Sequence, residues 1–248
     1  MRSTRLWLPV VAGILGIVAG AATALVATGD PEPGTSSGVE DPLHLGIPLV
    51  NLDCTGETVL VVGRGDSTAP LAVAVANNPD LPLRYLRSDD SCETLWAHQS
   101  QEPPEYAVYA GPYDGMAEPC ELRMQVDHKG DAVTNLTRGN DGFVRCLCAL
   151  PAAEFPALTV DVAIGPASSM WVRSLQSMLV DLDRERRAKG EPPPYFQPAD
   201  ISGVYDETTR DRVEAYQAES DIAEDEYGEV RLRTWRSFTD EVCKLYSF

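Results

Sequence analysis

The residues that could do chemistry in this sequence are not spaced as catalysts. Cys92 and His98 lie close enough along the chain to form a nucleophile and its base. Asp89-Asp90 is a carboxylate pair of the kind used in glycoside hydrolysis. Gly63-Arg-Gly-Asp66 is rich in glycine but lacks the lysine of a phosphate-cradling loop, and neither GxSxG nor HExxH occurs. The three histidines, His44, His98 and His128, have no ligand spacing, and there is no CxxC. No metal and no cofactor are therefore expected. With 38 acidic residues and a net charge of −18, an acidic pair reads first as solvated surface. Asn135-Leu136-Thr137 fits a glycosylation sequon and Arg64-Gly65-Asp66 an adhesion tripeptide, and both are short enough to arise by chance. The chemistry predicts a protein that is not an enzyme.

The elements that must carry any binding residues begin beyond a long apolar segment. No charge falls between Arg5 and Asp30, and Leu6–Ala27 gives 22 mostly apolar residues. As a helix this run spans roughly 33 Å, enough for a hydrocarbon core. Arg2 and Arg5 precede it; Asp30, Glu32, Glu40 and Asp41 follow. That asymmetry predicts a single-pass anchor in the cell membrane, N-terminus cytosolic and the bulk of the chain extracytoplasmic. A cleaved signal peptide is the alternative, and it also exports the rest.

All six cysteines lie beyond this segment: Cys54, Cys92, Cys120, Cys146, Cys148 and Cys243. An even set of exported cysteines predicts disulfides, though not which pairs form. Cys146 and Cys148 are too close to pair comfortably, so each needs a distant partner. The acidic balance argues against nucleic acid or anionic lipid headgroups as partners.

Five segments follow. Residues 1–27 form the cytosolic tip and transmembrane anchor, and 28–49 a flexible linker rich in Gly, Pro, Ser, Thr and acid. Residues 50–151 form an α+β domain, 152–168 a second linker and 169–248 a helical domain. In the first domain Thr58–Val62, Leu83–Leu86, Tyr106–Ala110 and Ala132–Leu136 read as strands. Ala69–Ala76 and Met116–Val126 read as helices. The order is βαββαβ, a ferredoxin-like pattern. Tyr106-Ala-Val-Tyr-Ala-Gly-Pro-Tyr113 before a helix resembles the core of SPOR domains, with Val108, Gly111 and Tyr113 matching. That resemblance implies binding to glycan strands of peptidoglycan.

In the second domain, Trp171–Leu182 carries Val172, Leu175, Leu179 and Leu182 on one helical face. Gly203-Val-Tyr205 then leads into a helix that Thr208 or Thr209 can cap. Gly228-Glu-Val230 leads into another, with Thr234 and Trp235. This part resembles the peptidoglycan-binding type 1 domain, a three-helix cell-wall module. Val172, Leu175, Gln176 and Leu179 match its first helix. Gly203, Tyr205, Thr209, Val213, Tyr216 and Gln217 match its second turn and helix, and Gly228, Val230, Thr234, Trp235 and Phe238 its third. Asp206 and Arg231 stand where the family pattern has glycines, and Asp183–Phe196 reads as a long inserted loop.

The expected fold class is thus a membrane-anchored α+β protein: a transmembrane helix, a disulfide-stapled ferredoxin-like domain and a three-helix domain. The resemblance implies a bacterial, non-catalytic cell-wall protein whose partners are peptidoglycan and, through its N-terminal helix, the cytoplasmic membrane. The alternative is an exported ectodomain that regulates or positions a cell-wall enzyme. Sugar rings stack on aromatic faces while polar side chains hold their hydroxyls, so Tyr205, Thr209, Tyr216, Gln217, Tyr195, Phe196 and Tyr109 are the expected contacts. Tyr216 and Trp235 also sit at core-facing spacing.

Overall fold

The structure is a computed structural model that describes residues 40–95, 103–125, 132–139, 142–160, 166–192, 195–222 and 227–246. Val39–Phe248 forms one compact unit. Its first half runs β1 (Thr58–Gly65), α1 (Thr68–Asn77), β2 (Leu83–Arg87), β3 (Tyr106–Tyr113), α2 (Ala117–Gln125) and β4 (Ala132–Asn135). The strands form one sheet in the order β2-β3-β1-β4, and every neighbouring pair is antiparallel.

Both faces of the sheet are buried, which is why β1 is an unbroken apolar run rather than an alternating one. Leu60, Val62, Leu83, Tyr85, Val108, Ala110 and Val133 form a core with Leu71 and Ala74 of α1 and Cys120 and Met124 of α2. Val59, Val61, Leu86, Ala107, Tyr109 and Leu136 cluster separately with Leu52, Cys92 and Leu95. Gly63 lets α1 lie close, since a Cβ there would meet Ala74 Cβ at 2.3 Å. The sequence predicts that β3 stops at Gly111-Pro112, yet it continues to Tyr113, which pairs with Thr58 across an irregular register.

The second half contains α3 (Cys146–Ala149), α4 (Pro166–Ala188), α5 (Glu207–Glu219) and α6 (Leu232–Leu245). The apolar face of α4 is buried, and α4 packs on α2. One core cluster therefore crosses the division expected at residues 152–168, running from Leu60 and Cys120 through Met170 and Leu175 to Val213 and Trp235. Val230 and Leu158 exchange backbone hydrogen bonds, and Trp235 Nε1 donates to Pro156 O at 2.8 Å. These bonds tie the connecting segment to the start of α6.

The membrane-anchored fold class is corrected: the described residues form a mixed α+β unit with a four-stranded antiparallel sheet and disulfides. Among them no helix is long and apolar enough to cross a membrane. The longest, α4, carries Arg173, Asp181, Asp183, Arg184, Glu185, Arg186 and Arg187. The Leu6–Ala27 segment lies outside the described residues. The supposed inserted loop is also corrected. Residues 183–188 continue α4 as helix, with Gly190 (φ +75°) just beyond its end.

All six cysteines pair. Cys54–Cys92 lies over the second face of the sheet, Cys120–Cys146 joins α2 to α3, and Cys148–Cys243 joins α3 to α6. Residues two apart on a helix point about 200° apart. The two cysteines of α3 therefore reach opposite neighbours, and one short helix couples the sheet layer to the last helix.

Candidate functional site

The helices α5 and α6 are each launched from a turn that is held the same way. Gly203 and Gly228 both have φ +80°, which favours glycine. Gly203 N donates to Gln176 Oε1 (2.8 Å), while Gln176 Nε2 reaches Val204 O (3.0 Å) and Thr209 Oγ1 (3.0 Å). One helix later, Gly228 N donates to Gln217 Oε1 (2.9 Å), and Gln217 Nε2 reaches Glu229 O (2.7 Å) and Thr234 Oγ1 (3.0 Å). Each glutamine on one helix thus latches the turn that starts the next. Both glutamines and both threonines are fully buried. Tyr205 joins the two turns, its hydroxyl donating to Gly228 O at 2.9 Å.

The cap expected at Thr208 or Thr209 is instead Asp206. Its carboxylate accepts from Thr209 N (2.9 Å) and Thr209 Oγ1 (2.8 Å). Asp206 (φ −90°) and Arg231 (φ −117°) have ordinary backbone angles, so these turns do not need glycine there. Gln217→Leu keeps the side chain's bulk but strips partners from a buried N–H, a carbonyl and a hydroxyl. It is expected to lose about 2–3 kcal/mol in urea unfolding. A loss within about 0.5 kcal/mol, as for a neutral surface change, would mean that the latch holds nothing.

Burial decides what the expected contact residues do. Tyr109, Thr209 and Gln217 are fully buried, and Tyr205 and Phe196 nearly so. Tyr109 donates to Val50 O (2.9 Å). Phe196 N donates to Asp183 Oδ2 (2.7 Å). In the structure these five side chains are packed inside the fold. Tyr195 is half-buried, with the Arg187 guanidinium 4.7 Å from its ring centre. Tyr216, 2% exposed, stacks on Phe238 at 3.9 Å, and its hydroxyl is bonded to Ser237 (2.7 Å) and Glu241 (3.1 Å). Burial pushes that phenol up to about 12, so it remains a neutral hydrogen-bonding group at physiological pH.

Tyr216 is among the residues that line a cleft of about 300 Å³ among α4, α5 and α6, with Arg186, Lys189, Glu219, Ser220 and Glu241. Beneath it lies a charged network. Arg212 binds Asp183 through two nitrogens, at 2.6 Å from Nη2 and 2.9 Å from Nε. Arg186 links Asp183 (3.2 Å), Glu191 (2.9 Å) and Glu219 (3.0 Å). Arg212 Nη1 is buried with no hydrogen-bond partner, and it lies 3.8 Å from Glu219 Oε2. The sequence had a signal for Arg212: it follows Thr209 by three positions and precedes Tyr216 by four, on the face that is buried. Nothing in Asp183 or Glu241 distinguished them among 38 acidic residues.

No family model, curated protein or solved structure matches this chain. Among the described residues no group of His, Cys, Asp and Glu could hold a metal ion. The cleft offers carboxylates, hydroxyls and cations side by side, an arrangement suited to holding a polar ligand by hydrogen bonds.

Proposed function

We propose that this chain is an exported, non-catalytic protein that binds peptidoglycan through the cleft among α4, α5 and α6. The observation that supports this most is that the cleft sits on the latched helices whose residues carry the cell-wall resemblance. Tyr216 belongs to both. Glu219, Ser220, Glu241, Arg186 and Lys189 provide donors and acceptors of both signs, as the hydroxyls, amides and carboxylates of peptidoglycan require. The three disulfides fit an oxidising extracytoplasmic compartment.

Soluble muropeptides titrated into the chain test the cleft. The double substitution Glu219→Gln, Glu241→Gln is expected to weaken binding about tenfold, the loss of roughly one charge-assisted hydrogen bond. Unchanged affinity in a folded variant would move the ligand away from this cleft. The second reading is a protein-interaction ectodomain that positions a cell-wall enzyme. It is favoured by Val204, Tyr227 and Leu232, large apolar side chains 62%, 55% and 42% exposed on the two latched turns. Under that reading, crosslinking recovers a defined exported protein and muropeptides do not compete.

A further inference from the structure

The cleft among α4, α5 and α6 holds a buried donor that the fold leaves unused. Arg212 is 4% exposed and belongs to the cleft's lining. Its Nε and Nη2 are taken by Asp183, while Nη1 has no hydrogen-bond partner. Glu219 Oε2 stands 3.8 Å from it, beyond hydrogen-bond reach. The other oxygen of Glu219 is engaged by Arg186 at 3.0 Å, and Arg186 is itself fixed by Asp183 and Glu191. A buried N–H without an acceptor is costly, and buried donors in folded proteins are nearly always paired. An unpaired one at a cleft points to an acceptor that arrives from outside.

The surroundings narrow the kind of acceptor. Four carboxylates and three cations line the cleft, and the buried Asp183 adds another negative charge beneath it. Carboxylates outnumber cations, which disfavours an anionic ligand. Arg212 is already neutralised by Asp183, so it offers an N–H rather than a net charge. Such a donor suits a neutral carbonyl. Glu241, on α6, receives the Tyr216 hydroxyl at Oε2 and has a second oxygen to offer. A group seated between α5 and α6 thus meets a donor on one helix and an acceptor on the other. Leu245, 43% exposed, adds an apolar side chain to the same lining. A carbonyl, an N–H and a methyl together make an acetamido group. A volume of about 300 Å³ is at the lower end for ligand sites and suits one unit of a polymer.

We propose that this cleft seats the acetamido group of an N-acetylated sugar. The carbonyl accepts from Arg212 Nη1, the amide N–H donates to Glu241 and the methyl packs on Leu245. Glu219, whose side chain is 44% exposed, gives way as the carbonyl enters. The inference rests on the reading that the wall polymer binds in this cleft, and it adds which group of the polymer is read. A peptide amide shares the carbonyl and the N–H, so the test separates the two sources.

The test uses the full chain with disulfides intact, followed by calorimetry or chemical-shift titration. Three probes are compared: the N-acetylglucosamine trimer of chitin, cellotriose, which has a hydroxyl in place of each acetamido group, and N-acetyl-dialanine methylamide, which has amides but no sugar. The chitin trimer is expected to bind saturably and at least about tenfold tighter than either other probe. Arg212→Lys keeps a cation beside Asp183 but removes the fork that carries Nη1. It is expected to lose about tenfold in affinity for the chitin trimer. Because the probes are compared on the unaltered chain, the result stands even if that variant folds poorly. Equal binding of the two trimers, no binding of either, or tighter binding of the peptide would each overturn the proposal. If muropeptides bind and are weakened by Glu219→Gln with Glu241→Gln while the trimers do not differ, this assignment alone falls. If muropeptides do not bind, the proposed function falls with it.

Discussion

Replacing Asp183 by Ala is expected to remove about 3–5 kcal/mol of folding stability, the usual result of stranding a buried charge. Asp183 is fully buried and Arg212 only 4% exposed. The carboxylate accepts from Arg212, Arg186 and the backbone of Phe196. Without it the Arg212 guanidinium stays in the interior with only the distant Glu219 for company. Asp183→Asn keeps the shape but not the charge and should lose less. A control is Asp89→Ala, whose pair with Arg87 is exposed and is expected to change stability by no more than about 0.5 kcal/mol. Urea unfolding of the three variants separates these cases.

The same carboxylate gives stability a pH dependence. Burial alone would raise its pKa, but the hydrogen bonds from Arg212 and Phe196 outweigh burial and hold it below the ordinary carboxylate value. A group with a depressed folded pKa contributes stability above its unfolded value and loses it as pH falls through the folded one. The contribution is therefore full at neutral pH and fades below about pH 4. In Asp183→Asn that part of the acid sensitivity should be absent.

The second large effect belongs to Cys148–Cys243. Its partners are 95 residues apart, against 38 and 26 for the other two disulfides. If the bond acts by restricting the unfolded chain, the longest loop gives the largest gain, about 4–5 kcal/mol. The double substitution Cys148→Ser, Cys243→Ser should lose this amount in urea unfolding and more than either of the other two pairs. A loss below about 1 kcal/mol would mean that the core shared by α4 and α6 holds the last helix without the bond.

The chain's periodicities made much of this fold legible. Thr58–Val62 and Tyr106–Ala110 announced strands, and Val172, Leu175 and Leu179 announced the buried face of α4. The glycines at 203 and 228 announced turns, and both have positive φ, whereas Asp206 and Arg231 do not. What could not be read was where polar side chains point. Gln217 was an expected contact and is a buried latch, as is Gln176, because a glutamine satisfies a turn's N–H and carbonyl as well as it satisfies a ligand. Asp183 looked like part of a charged loop, but the helix continues past it and turns it inward. The pairing of the cysteines depended on three-dimensional proximity of α2, α3 and α6, which no local pattern encodes.

The most direct measurement of the central claim is sedimentation of the full chain, disulfides intact, with purified insoluble peptidoglycan at near-physiological salt. The account predicts saturable retention in the pellet, competed by soluble muropeptides and weakened by Glu219→Gln with Glu241→Gln. A chain that stays in the supernatant at every concentration, or that pellets equally with cellulose, would contradict it.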